Sequence, residues 1–99
     1  MKWIEIIELR SSGNTRKQLE TTLQEFIDQV EKKAEKLSVK LYNRRILDTE
    51  IFSIHLLHGS SGFNSEGSSP GIKLVSTLKL YGLVSRTVWI EKQKNSLTL

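Results

Sequence analysis

Four stretches of the chain alternate hydrophobic with polar residues in the two-residue period of β-strands. They run from Lys2 to Arg10, Val39 to Asn43, Glu50 to His58 and Val84 to Lys92. The first stretch is apolar on both of its sides, which predicts a strand covered on two faces. A polar bend around Arg44-Arg45 and Asp48-Thr49, between the second and third stretches, predicts a hairpin.

A long stretch between the first two strands carries apolar residues at the helical spacing of about 3.6 residues per turn. This spacing predicts a helix whose buried stripe comprises Leu19, Leu23, Phe26, Ile27, Val30, Ala34 and Leu37. Thr15 and Gln18 form a capping box, which places the start of this helix.

A second, shorter helix is predicted from Pro70 to about Tyr81. Ser68 or Ser69 is its expected N-cap, because proline lacks an amide hydrogen and therefore loses nothing in the first turn. Gly82 is the expected C-terminal stop.

The resulting order, βαββαβ, predicts an α+β domain with the ferredoxin-like sandwich fold. In this fold two helices cover one face of a four-stranded antiparallel sheet, with strand order 4-1-3-2. We expect a single domain over residues 1–92 and a frayed tail over 93–99. The glycine- and serine-rich segment 59–71 is predicted to be a mobile loop, either a functional lid or a tolerated surface loop.

The tripeptide Trp-Ile-Glu occurs in both the first and the last strand, which are neighbours in this strand order. We expect the helices to cover Ile4, Ile6, Phe52, Ile54, Leu56, Val88 and Ile90. We expect the opposite, open face to carry Trp3, Glu5, Ile7, Ser53, His55, Leu57, Thr87, Trp89 and Glu91. An exposed sheet face this apolar predicts a covering partner, and a second copy of the chain is the simplest one.

Composition narrows the class of protein. The net charge is +4 and the sequence pI is about 9.5, but the excess basic residues are dispersed rather than clustered, which disfavours nucleic-acid binding. The chain has no cysteine, so disulfides and thiolate metal sites are excluded. No apolar run approaches the roughly 20 residues of a membrane span, and we expect a soluble, cytoplasmic protein without a membrane partner.

The element order and the tryptophan-bearing ends of the first and last strands resemble the dimeric α/β barrels, a superfamily that includes the antibiotic-biosynthesis monooxygenase-like proteins. The resemblance implies a homodimer in which two sheets pack face to face around a pocket. It also implies that the pocket binds a small hydrophobic or aromatic molecule. Some relatives are cofactor-independent oxygenases, so an enzymatic activity here would be monooxygenase-like and would use no bound cofactor.

Candidate chemistry lies on the predicted open face. His55, Glu5 and Glu91 are the candidate catalytic residues, because a histidine beside carboxylates can act as a general base. Trp3, Trp89, Ser53 and Thr87 are the candidate ligand-binding residues, with the two indoles as pocket walls. The competing interpretation gives the glutamates structural roles and places the tryptophans in a core or subunit interface. No metal site is predicted.

Two other functions remain open. One is a structural or regulatory dimer without turnover. The other is RNA binding, since RNA-recognition motifs share the βαββαβ order. The third strand lacks the basic-Gly-aromatic signature of those motifs, and its one aromatic residue, Phe52, is expected to face the helices.

Overall fold

The computed structural model describes residues 2–11, 16–33, 37–59 and 62–92. Its elements follow the predicted order βαββαβ. They are β1 (Trp3–Ser11), α1 (Arg16–Lys33), β2 (Leu37–Ile46), β3 (Thr49–His58), α2 (Ser69–Leu78) and β4 (Leu83–Ile90).

The strands form one antiparallel sheet in the order β2-β3-β1-β4, which confirms the predicted topology. Both helices lie on one face, with α1 contacting β2 and α2 contacting β1 and β4. The main core comprises Ile7, Leu9, Leu19, Leu23, Phe52, Ile54, Leu56, Leu74 and Leu78. Within the described ranges, neither helix combines the length and apolar content of a membrane-spanning segment. The α+β ferredoxin-like fold is therefore established for this chain.

The helix–strand boundaries depart from the predicted ones around α1. The helical spacing predicts Leu37 in the buried stripe of α1, but Leu37 is the first residue of β2. The strand then continues to Ile46, because the Arg44–Arg45 segment extends the pairing with β3 instead of bending away from it. The predicted capping threonine Thr15, the stripe residue Ala34 and the tail 93–99 lie outside the described residues.

The start of α2 is the predicted one. Ser68 is the N-cap, and its hydroxyl accepts a hydrogen bond from the Gly71 amide at 3.1 Å. The α-helix ends at Leu78 rather than at Tyr81, because the next residues tighten into a turn in which the Tyr81 amide donates to the Leu78 carbonyl. Tyr81 nevertheless packs against the core, and its hydroxyl lies 2.9 Å from Thr22 Oγ1 of α1.

The predicted facing of β3 and β4 is confirmed, but that of β1 is wrong. Trp3 pairs with Ile90 and Ile4 with Trp89, so the two Trp-Ile-Glu copies present opposite sides. Trp3, Glu5 and Ile7 face the helices and are buried, whereas Ile4 and Ile6 lie on the open face. Apolar side chains occupy both sides of β1, so periodicity alone could not orient it. A glutamate indicates an open side, yet the carboxyl group of Glu5 lies inside the fold.

Candidate functional site

Glu5 is the centre of a polar cluster enclosed between the sheet and the start of α2. Its side chain is fully buried, with 0% exposure. One carboxylate oxygen, Oε1, accepts two hydrogen bonds: one from His58 Nε2 at 2.7 Å and one from the Ser68 hydroxyl. Residues from β1, the end of β3 and the cap of α2 therefore converge on a single oxygen atom.

The N-terminus of α2 is built to receive this carboxylate. Ser68 satisfies the Gly71 amide with its oxygen and gives its hydroxyl hydrogen to Glu5. The positive end of the helix dipole favours negative charge at this position. Gly71 permits the close approach, since a Cβ there would lie 2.8 Å from Glu5 Cδ and 2.9 Å from Oε1. The glycine is thus required by packing even though it lies within a helix.

Aromatic rings fix the histidine of this cluster. The Trp3 indole stacks on the His58 imidazole, with centroids 3.8 Å apart and planes 10° apart. Phe63 contacts the same indole edge-on at 5.3 Å. Trp3 is 3% exposed whereas Phe63 is 46% exposed, so the aromatic group extends from the interior to the surface. Stacking holds the imidazole plane in place while its Nε2 bonds to Glu5.

The second oxygen of the carboxylate, Glu5 Oε2, is buried and has no hydrogen-bond partner in the described part of the chain. It lies close to the backbone of Gly67 and Gly71. A buried acceptor without a partner costs about 1–3 kcal/mol, so such atoms in native proteins call for an explanation. An ionised carboxylate oxygen can only accept, which makes Oε2 suited to a hydroxyl or amine hydrogen.

A second buried carboxylate, Glu50, provides a structural reference. Its Oε2 accepts a hydrogen bond from Asn43 at 3.0 Å, and its Oε1 lies 3.6 Å from Arg16 Nη1. The hydrogen bond to Glu20, followed by the charge of Glu50, raises the pKa of Arg16. Glu50 Oε1, like Glu5 Oε2, is buried and has no hydrogen-bond partner among the described residues, but the guanidinium of Arg16 connects Glu50 to the solvent. Among the described residues, no three His, Cys, Asp or Glu side chains are grouped as a metal site would require.

The open face of the sheet carries a different set of polar contacts. His55 Nε2 lies 3.0 Å from Ser53 Oγ, and the Tyr42 ring contacts the imidazole at 4.8 Å. Trp89 Nε1 donates to Thr87 Oγ1 at 3.0 Å, although the indole is 58% exposed. A shallow cavity of about 170 Å³ on this side is lined by Glu8, Tyr42, Asn43, Arg44, Ile51 and Ser53.

The predicted site residues therefore divide between two locations. Ser53, His55, Thr87 and Trp89 lie on the open face, as expected. Trp3 and Glu5 lie behind the sheet, on the side opposite His55, because of the register of β1. Glu91 follows β4, is exposed, and donates its amide to the Lys2 carbonyl at 2.8 Å. The structure does not bring His55, Glu5 and Glu91 together.

Two residues of the Glu5 cluster were missed as site residues. The sequence pattern identifies His58 only as the end of a strand before a Gly/Ser segment, and Ser68 only as a possible helix cap. The pairing of β1 with β3 is the feature of the sequence from which this cluster could have been predicted. Once Ile7 and Leu9 are assigned to the core side, the alternation places Glu5 and Trp3 there too, beside the last residue of β3.

Comparisons with known proteins bear on the fold alone. No protein-family model matches the chain, and no curated protein sequence matches it. Among solved structures, the chain is similar to Rv0793 from Mycobacterium tuberculosis, with a TM-score of 0.64 and 14% sequence identity. The similarity covers 95% of this chain and 98% of that protein. An identity this low supports a shared architecture and carries no information about activity.

Proposed function

We propose that this chain is a homodimer that binds a small hydrophobic or aromatic molecule carrying a hydroxyl group, next to the Glu5–His58 pair. The observation that carries the proposal is the buried, unpartnered Glu5 Oε2. Trp3 stacks on His58, which bonds to the other oxygen of the same carboxylate, and Phe63 contacts Trp3. A hydroxyl on an aromatic ligand would give Oε2 the donor that the described residues do not supply.

The same atoms define the chemistry that could follow binding. A carboxylate that accepts a hydrogen bond from a hydroxyl can also remove its proton, as a general base. His58, bonded to Oε1, would stabilise the carboxylate and fix its orientation. Deprotonation makes an aromatic hydroxyl electron-rich, which is compatible with the monooxygenase-like activity implied by the resemblance to the dimeric barrels. His55, Trp89, Ser53 and Thr87 would then line the space between the two sheets of the dimer.

Binding is best tested with matched pairs of ligands that differ by one methyl group. Phenol and 1-naphthol retain the hydroxyl, whereas anisole and 1-methoxynaphthalene lack its hydrogen. Titrations followed by tryptophan fluorescence and by amide NMR shifts should show tighter binding of the hydroxyl form by about tenfold, since one hydrogen bond to a charged group contributes roughly 1.5–3 kcal/mol. Shifts should concentrate at Phe63, Gly67 and Gly71.

A matched pair of variants locates the site. Glu5→Gln should remove the preference for the hydroxyl form, because an amide presents a donor as well as an acceptor. His55→Gln, on the other side of the sheet, should leave the preference unchanged. Equal binding of both ligand forms, or a preference that depends on His55 instead, would contradict the proposed site. Oxygen uptake with 1,4-dihydroxybenzene, measured against the Glu5→Gln protein, tests for turnover.

The exposed aromatic residues of the open face favour a second candidate, a structural or regulatory dimer without turnover. Trp89 is 58% and Tyr42 51% exposed, and both lie on this face. Light scattering at micromolar concentration should give twice the mass of the 11.3 kDa chain. A dimer that binds none of the aromatic probes would support this second candidate, and a monomer would exclude both forms of the dimer proposal.

A further inference from the structure

The open face of the sheet divides into an apolar half and a charged half. Toward the end of the sheet where β1 begins, the side chains of neighbouring strands are apolar: Ile4 and Ile6 of β1, Leu57 of β3 and Trp89 of β4. Toward the other end lie three charged residues, Glu8, Arg10 and Arg44. Burying charges between subunits is costly unless each one is paired, so a dimer contact is expected to centre on the apolar half. The charged half is then left for a different ligand.

The shallow cavity of about 170 Å³ lies in the charged half. Ile51 forms its floor and is only 6% exposed, although both helices lie on the other face of the sheet. It pairs in register with Arg44 on one side and Arg10 on the other. The aliphatic stem of an arginine covers apolar surface while its charged head stays in water. The cavity therefore has an apolar floor and a charged rim.

Opposite charges face each other across this cavity. Glu8 of β1 and Arg44 of β2 both line it, and both are exposed. Neither takes part in an ion pair within the described ranges. Since β3 lies between β1 and β2, these two strands are about 10 Å apart, twice the usual strand spacing. The carboxylate and the guanidinium can thus bind opposite ends of a small molecule above Ile51.

Neutral polar groups complete the lining between the two charges. Ser53 lies in register between Glu8 and Tyr42, and all three line the cavity. The Ser53 hydroxyl lies 3.0 Å from His55 Nε2, which holds it in place. Serine and tyrosine hydroxyls can each donate and accept hydrogen bonds. The lining therefore suits a ligand with a polar group at each end.

We infer that this cavity binds a small zwitterion whose ammonium and carboxylate groups are separated by a short apolar segment. Glu8 would bind the ammonium group, and Arg44 would bind the carboxylate through its planar guanidinium. The apolar segment would contact Ile51. The site lies on the opposite face of the sheet from Glu5, so the inference is independent of the proposed hydroxyl site.

The test titrates the unmodified protein with 4-aminobutyrate, butyrate and butylamine, and follows the Ile51 methyl and Ser53 amide signals by NMR. 4-Aminobutyrate should bind about fivefold more tightly than butyrate, the upper end of what one solvent-exposed ion pair contributes. Butylamine should bind most weakly, because Arg10 and Arg44 together outweigh the charge of Glu8. Glycine should bind less tightly than 4-aminobutyrate, because no apolar segment separates its charges.

Three variants locate the contacts. Glu8→Gln should bring 4-aminobutyrate down to the affinity of butyrate, and Arg44→Gln should weaken its binding by a similar factor. Lys40→Gln is the matched control, because it removes a cation from the same face that does not line the cavity. It should leave the preference for 4-aminobutyrate over butyrate unchanged. All three residues are exposed, so the variants should fold, which circular dichroism checks.

Equal affinity of the unmodified protein for 4-aminobutyrate and butyrate would overturn the inference. A preference that survives Glu8→Gln, or that disappears with Lys40→Gln, would overturn it too, since groups outside the cavity would then be responsible. If no probe binds and light scattering shows a weaker dimer in Glu8→Gln and Arg44→Gln, the two charges pair between copies of the chain and the inference fails. None of these results alters the hydroxyl preference expected at Glu5, so the two proposals stand or fall separately.

Discussion

The two Trp-Ile-Glu copies occupy neighbouring strands and have contrasting environments. Trp3 is 3% exposed and stacks on His58, whereas Trp89 is 58% exposed on the other side of the sheet. The register of β1 with β4 makes the difference, since it pairs each tryptophan with the isoleucine of the opposite strand. A shift of one residue would place both indoles on the same side. Strand register, rather than residue type, thus decides which copy enters an enclosed site.

The hydrogen bonds on the two faces of the sheet also differ, in whether they join residues of one strand or residues of different elements. On the open face, the Ser53–His55 and Thr87–Trp89 bonds each join residues two apart in one strand. On the covered face, the bonds of Glu5 join β1 to β3 and to the cap of α2. Bonds within one strand leave the surface free to meet a partner. Bonds between elements fix a preorganised site, which is what binding and proton transfer require.

Substitution of the two tryptophans should give the largest difference in the free energy of unfolding. Trp3→Ala should lower the free energy of unfolding by about 3–5 kcal/mol, because it empties a buried site and removes the ring stacked on His58. Trp89→Ala should change it by less than about 1 kcal/mol, as is usual for surface substitutions. Urea denaturation of the dilute protein measures both.

The two substitutions should have the reverse effect on the proposed dimer, where the exposed tryptophan matters more than the buried one. Trp89→Ala should weaken the proposed dimer, seen as a fall in mass by light scattering, while a folded Trp3→Ala protein should still dimerise. Similar losses of stability for the two variants, or an unchanged dimer in Trp89→Ala, would remove the distinction between the faces.

The sequence predicts the element order and sheet topology well, because helix and strand periods are separated by clear breaks. It also predicts the facing of β3 and β4, where polar residues such as Ser53 and Thr87 mark one side. The facing of β1 is harder, because Ile4 and Ile7 are equally apolar. The Glu5 cluster depends on that facing and on the distant Ser68, so periodicity could not reveal it.

At Gly71, helix propensity and packing predict opposite effects of an alanine substitution on stability. Alanine in a helix is favoured over glycine by up to about 1 kcal/mol. At this position the methyl group would meet the Glu5 carboxylate, so Gly71→Ala should instead lower the free energy of unfolding by about 1–3 kcal/mol, the range for overpacking. Urea denaturation provides the measurement.

The Glu5→Ala background supplies the control for Gly71. With the carboxylate removed, Gly71→Ala should become neutral or stabilising, since only propensity remains. A loss of stability that persists in this background would mean that Gly71 is constrained by something other than Glu5, and the close approach of carboxylate and helix would lose its support.

Two serines allow a matched test of the hydrogen bonds. Ser68→Ala removes both the cap of α2 and a donor to buried Glu5, so it should cost about 1–2 kcal/mol in the free energy of unfolding. Ser53→Ala removes only a contact with His55 within one strand and should cost less than about 0.5 kcal/mol. Thermal or urea unfolding compares them. A larger cost at Ser53 would reverse the assignment of the fixed site to the covered face.

The smallest contrast lies between adjacent isoleucines on opposite faces of β1. Ile7 is fully buried in the core, whereas Ile6 is half-buried on the open face. Ile7→Val should cost about 0.5–1.5 kcal/mol in the free energy of unfolding, while Ile6→Val should cost less than that because fewer contacts are lost. Urea denaturation at two protein concentrations separates packing within one chain from burial in a dimer. If the Ile6→Val cost exceeds the Ile7→Val cost even in dilute protein, the register of β1 is off by one residue, and Glu5 returns to the open face.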